Sequence, residues 1–357
     1  MKSPQLIKTF GFFALFIFFY GCTEENYYTI VEPNQNLGIV NIYIEGNIST
    51  ADAQAKIDAE LGTLTENIYI ENTTQLTTLS IKLLSNNIRN IRVNENSALE
   101  TLNIDGNGHN MHTMYVYDIG KLTYLNLKGI KRMDTFDARL RSYPIISNKV
   151  INIYDLEKLD GFLRFGTNGD NNIFRCPKLK YINYTTNTSF GMASGMEGKF
   201  EEINFSLLEE TKWIYFAVDI ETLTLPKLKK ASALTIDFNE VGNEGFGIQN
   251  INLPELLDCH TIEIFRSTSY DLIYGNNPTV NMPNLTYCRY FIFKSMGLDN
   301  TKVNAVLHQF LNIQPAQGKT IDLSSSSNVN YYNSPPTGQG LIDKQTLINQ
   351  GNTVITN

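Results

Sequence analysis

Five side chains suited to molecular recognition fall at a regular spacing in this chain. Tyr69, Arg92 and Tyr115 stand 23 residues apart, and Tyr117 and Arg139 lie two positions further along their strands, as Glu71 and Asn94 do. Tyr and Arg are enriched where interfaces concentrate their binding energy, so Tyr69, Arg92, Tyr115, Tyr117 and Arg139 form a candidate ligand-binding patch. The same positions also allow a second reading, cross-strand pairing on a solvated sheet, for instance Asp137 with Arg164 on adjacent rungs.

Catalysis finds less support. His109 and His112, with Asp105 nearby, read as solvated loop residues without a third ligand, and there is no CxxC, so no metal site is expected. Cys259 and Cys288 occupy equivalent places after LPEL and MPNL, where an earlier coil has Ala231. That suits small inward packing, and one rung of separation also leaves a disulfide open. No GxSxG, HExxH, P-loop or dinucleotide fingerprint occurs, so no cofactor is expected. Carbohydrate cleavage needs carboxylates converging on one face, yet Asp137 has basic or aromatic neighbours and Glu263 sits beside Thr235 and Ile292. No catalytic residue is assigned, and the chain is read as a non-enzyme.

The elements that position these residues come from a repeat. Between Ile88 and Arg132 the chain divides into pieces of about 11 residues, each apolar at its first, fourth and sixth positions, the rhythm of a half-buried strand. A single unit cannot bury its own apolar side, so the units must stack as a solenoid. Alternate half-units return to the same face, which gives two rows. The first runs Ser80, Asn103, Asn126, Asn152, Asn183, Asn204, Thr224, Asn252, Asn281 and suggests a structural ladder of side-chain amides. The second runs Tyr69, Arg92, Tyr115, Asp137, Arg164, a poorly defined rung near Gly191, then Tyr215, Thr235, Glu263, Ile292, and nothing in it repeats. A constant face beside a varied one fits a scaffold with one recognition surface. Segments 141–149, 165–176, 187–199 and 239–247 read as projecting loops and form a second candidate surface.

Net charge −7 with no Lys/Arg run argues against nucleic acid as a partner. The chain holds 41 Asn, a type favoured at tight corners. Residues 39–66 read as strand, helix and strand, an N-terminal cap before a solenoid over 67–298. Val303, Val306, Leu307, Phe310 and Leu311 mark an amphipathic helix that opens a C-terminal helix-strand cap over 299–357.

At the N-terminus, Lys2 and Lys8 precede an apolar run, Phe10 to Tyr20, too short to span a bilayer, and Gly21-Cys22 follows at once. This resembles a bacterial lipoprotein signal, which implies a signal peptide over 1–21, lipidation of Cys22 and a tether over 22–38. Thr23-Glu24-Glu25 is similar to the surface-export signal of Bacteroidota lipoproteins. The half-units resemble leucine-rich repeats, and the later IxLPxL coils, as in Ile251-Asn252-Leu253-Pro254-Glu255-Leu256, resemble receptor L domains. The ending, TIDLS through PPTGQG to NQGNTVITN, looks like that of Bacteroidota leucine-rich-repeat surface proteins, except for Asn352 where Trp is expected.

The fold class expected is therefore mainly β, an LRR-like right-handed parallel β-solenoid with two sheets and small α/β caps at both ends. The function these resemblances imply is a monomeric surface protein, anchored in the outer membrane through its N-terminal lipid alone. It would recognise an extracellular protein or glycan without catalysis. The alternatives are a glycan-capture lipoprotein of a polysaccharide uptake system and a β-helix carbohydrate enzyme.

Overall fold

The computed structural model describes residues 37–117, 119, 121–140, 145–183, 194–238, 248–265, 277–325 and 332–357. Cys22, the signal segment and most of the tether lie outside the described residues, as do 239–247 and the rung near Gly191. Strands make up 44% of the chain beside three short helices, so the class is mainly β, and the chain winds as a parallel β-solenoid of about nine turns.

The varied row is one continuous ladder. Tyr43 pairs with Tyr69, Tyr69 with Arg92, Arg92 with Tyr115, Tyr115 with Asp137 and Asp137 with Arg164. The register continues through Gly195, Tyr215, Thr235, Glu263 and Ile292 to Asp322 and Ile355. The 23-residue return is thus real, and Gly195 takes the rung expected near Gly191. Strand alternation explains why the row faces outward: its flankers Ile68 and Ile70, Ile91 and Val93, Met114 and Val116 are all fully buried.

The first row departs from expectation in three ways. Asn103 does pair with Asn126 and Asn126 with Asn152, but the next rung is Arg175, not Asn183. Asn183 instead follows the short strand Tyr181–Ile182, which pairs in the other sheet. This row also breaks: Thr224, Asn252 and Asn281 form a separate three-stranded sheet. Finally, no hydrogen bond joins the amides of Asn103, Asn126 and Asn152; Asn152 Nδ2 points to the Tyr124 hydroxyl (3.5 Å), and the Oδ1 atoms of Asn126 and Asn152 lack partners.

An amide ladder exists elsewhere, where three strands open alike as NIYIE, NIYIE and NIRVN. Asn67 Nδ2 donates to Asn41 Oδ1 (2.7 Å) and Asn90 Nδ2 to Asn67 Oδ1 (2.9 Å). Other asparagines serve the corners. Among the described residues, five of the seven non-glycine residues with positive φ are Asn. Buried Asn96 takes the Thr73 N–H (3.1 Å) on its Oδ1 and donates to Ile70 O (2.7 Å), and Asn352 does the same for Lys319 N and Ala316 O. A planar amide offers both a donor and an acceptor, which Trp does not, and the corner at 352 uses both.

The ends of the stack are covered by helices. Ser49 accepts from Asp52 N (3.2 Å) and caps the helix Thr50–Glu60, whose Gln54 side chain bonds both Ser80 N (3.1 Å) and Ser80 O (2.9 Å). One amide thus satisfies an edge strand that would otherwise offer open backbone groups. At the other end Asp299 caps the helix Asn300–Phe310, which buries Val303, Leu307 and Phe310 and meets the helix Gln339–Asn349. Among the described residues no helix is long and apolar enough to cross a membrane.

Two stretches read as loops carry strands. Leu163–Thr167 and Asn172–Arg175 are regular rungs, and Ser194–Asn204 bends from one sheet into the other. The bend falls at Gly198 (φ 125°), where a Cβ would meet Thr167 O at 2.7 Å. Cys259 and Cys288 are free and buried; their thiols donate to the Thr261 (3.2 Å) and Tyr290 (3.4 Å) carbonyls. Burial pushes both thiols up, Cys288 to about 12.

Candidate functional site

A concavity of about 830 Å³ opens on the varied face, lined by Arg92, Asn94, Glu95, Tyr117, Arg139, Arg164, Gly166 and Glu197. The lining comes from five successive rungs, because Asn94, Tyr117, Arg139, Gly166 and Glu197 stack in register. At about 4.8 Å per rung this is a trough about 19 Å long. Glycine leaves one rung of it bare: Gly166 puts no side chain where Asn94, Tyr117, Arg139 and Glu197 do. Glu95 enters from the corner after its strand, in a left-handed conformation (φ 52°).

The middle of the trough is held by one buried carboxylate. Asp137 is 1% exposed and receives Arg139 Nε (3.2 Å) and Nη2 (3.1 Å). The Asp137 carboxylate also acts on the Tyr117 hydroxyl, and the Arg139 guanidinium lies over the Tyr117 ring at 5.2 Å. Tyr115 stacks on Tyr117 with ring centroids 5.7 Å apart. Burial and the Asp137 carboxylate hold the Tyr117 phenol above its ordinary range, and the same carboxylate raises Arg139. Tyr117 therefore stays neutral and Arg139 charged at physiological pH.

The three guanidiniums differ in what they have left to offer. Arg139 spends two of five N–H groups on Asp137. Arg92 Nε lies 2.9 Å from Glu71 Oε1, near enough for attraction, but that oxygen has no aligned hydrogen bond. Half-buried Arg164 has no ion pair or side-chain hydrogen bond with any described residue. The expected pairing of Asp137 with Arg164 does not form although the two are register neighbours, because Arg139 reaches Asp137 along the same strand.

Of the five residues singled out from the sequence, Arg92, Tyr117 and Arg139 line the trough. Tyr115 supports it from behind Tyr117, and Tyr69 lies apart, stacked on Tyr43 at 5.0 Å. Asn94, Glu95, Arg164, Gly166 and Glu197 also line the trough and were not among those five. Arg164 was on the varied row and readable, whereas Glu197 sat in a stretch taken for a loop. No cluster of three or more His, Cys, Asp or Glu is placed to hold a metal ion among the described residues. Fold and site together define a parallel β-solenoid with a polar trough across its varied face. Comparison with protein-family models, curated proteins and solved structures gave no match.

Proposed function

We propose that this protein is a lipid-anchored surface protein that recognises an extracellular ligand through its varied face, without catalysis. The observation that carries the reading is the trough itself, whose volume of about 830 Å³ falls within the roughly 300–1,000 Å³ of ligand sites. Asp137, Arg139 and Tyr117 fix one another in advance, so binding would lose little side-chain freedom. Of the trough's carboxylates, Asp137 is buried and engaged by Arg139, while Glu95 and Glu197 come from strands four rung steps or about 19 Å apart along the stack, beyond the roughly 5–9.5 Å separation of glycosidase carboxyl pairs. That distance favours capture over cleavage.

The anchor in this reading rests on the sequence alone, on Cys22 after the apolar run and the acidic residues behind it. Capture for a polysaccharide uptake system is the second form of the proposal, favoured by the scarcity of apolar surface in the trough. The test is a panel of extracellular proteins and glycans presented to the wild type and to Arg92→Ala with Asn94→Ala. Both residues lie on the surface of the stack, so the thermal midpoint should stay within about 2 °C while binding falls at least tenfold. Undiminished binding by the double variant would dispose of the trough as the recognition site.

A further inference from the structure

The geometry points to an acidic glycan as the ligand of the trough, with a sugar carboxylate seated on Arg164. This rests on the binding reading above and names the chemistry it would take. Arg164 is the one lining guanidinium without a protein partner among the described residues. Its surroundings leave space beside it. Gly166 stands two positions along its strand, and a Cβ built there meets nothing closer than Glu197 Oε2 at 3.6 Å, whereas at Gly195 on the next rung Tyr215 fills the space. A half-buried guanidinium facing such a gap presents a planar fork that fits the two oxygens of a carboxylate.

The rest of the lining selects a sugar over an acidic peptide. Arg139 is matched by Asp137 and Arg92 lies beside Glu71, so among the described lining residues Arg164 carries the positive charge left without a partner. Glu95 and Asn94 supply acceptors for hydroxyl groups, while Tyr117, the only aromatic among the described lining residues, has its ring engaged by Tyr115 and Arg139. Nothing apolar remains to anchor a peptide side chain, which protein interfaces require at their centres. A trough about 19 Å long suits several linked sugar units.

The experiment is an array of uronate- and sialate-containing glycans, each beside its carboxyl-reduced neutral counterpart, probed with the full-length protein. Wild type should bind at least one acidic glycan and lose tenfold or more in affinity on carboxyl reduction. Arg164→Gln should bind the acidic and reduced forms alike, Arg164→Lys should keep part of the preference, and Gly166→Phe, which fills the gap, should bind neither. Circular dichroism and thermal midpoints establish that each variant is folded, and Arg164→Lys serves if Arg164→Gln is not. Equal wild-type binding of acidic and reduced forms, or an array with no acidic glycan bound, overturns the carboxylate assignment and leaves the binding reading standing. Undiminished binding by folded Gly166→Phe overturns both.

Discussion

Asp137→Ala is the substitution that bears hardest on how the trough is built. Asp137 has a side chain only 2% exposed and holds Arg139 through two hydrogen bonds, while its charge also acts on the Tyr117 hydroxyl. Hydrogen bonds to a charged group contribute about 1.5–3 kcal/mol each when the partner cannot be rehydrated. Here the Arg139 side chain is 45% exposed, so water replaces part of what it loses. The Tyr117 phenol is half-buried and is rehydrated only in part. The net loss should be about 2 kcal/mol, which for a domain of this size lowers the thermal midpoint by roughly 3 °C. Urea and thermal unfolding measured on wild type, Asp137→Asn and Asp137→Ala give the value, with Asn intermediate because it keeps an acceptor but not the charge. Ligand affinity should fall further than stability, because Tyr117 and Arg139 lose their fixed positions. A loss below about 0.5 kcal/mol, the range of ordinary surface changes, would refute the claim that Asp137 organises the site.

Three other outcomes follow from the same structure. Leu102→Asp removes a fully buried side chain, forfeits about 1.5–3 kcal/mol of burial and leaves an unpaired charge in the core, so limited proteolysis should cut near its rung. Asn96→Ala strands the Thr73 N–H and the Ile70 carbonyl, each worth about 1–3 kcal/mol when left unsatisfied, and should lower the urea midpoint without altering ligand affinity. Tyr117 is a neutral acid in the fold with a raised pKa; above the unfolded tyrosine value of about 10 the unfolded chain loses its proton while the folded one keeps it. Stability should therefore fall with pH above about 10, and less steeply in Tyr117→Phe, as pH-resolved urea unfolding would show.

The solenoid was legible because burial enforces it. Met114 and Val116 must point inward and Tyr115 between them must not, so a fixed spacing marks a fixed face. Spacing stops marking the face where the coil lengthens. Asn183 looked like the next member of the Asn row, yet Phe174 and Cys176, both fully buried, flank Arg175 by the same rule and place it there. Gly and Asn nearby had suggested a loop, although such residues also turn corners between strands, as Asn171 does with its positive φ. The amide ladder failed on the row that repeats Asn and formed at Asn41, Asn67 and Asn90, because a ladder needs matched side-chain orientation and not residue type alone. Asp137 was the least readable residue. Alternation turns it outward, and it is covered sideways by Arg139 and Tyr117, a tertiary contact that no single-strand pattern reports.

Arginine footprinting tests the central claim most directly. The protein is treated briefly with phenylglyoxal, with and without its bound glycan, and modification is quantified by mass spectrometry. Arg164 should react readily in the free protein, and ligand should protect Arg92, Arg139 and Arg164 while Arg89, Arg132, Arg175 and Arg289 react as before. Protection confined to that second group, or none at the trough, would contradict the account.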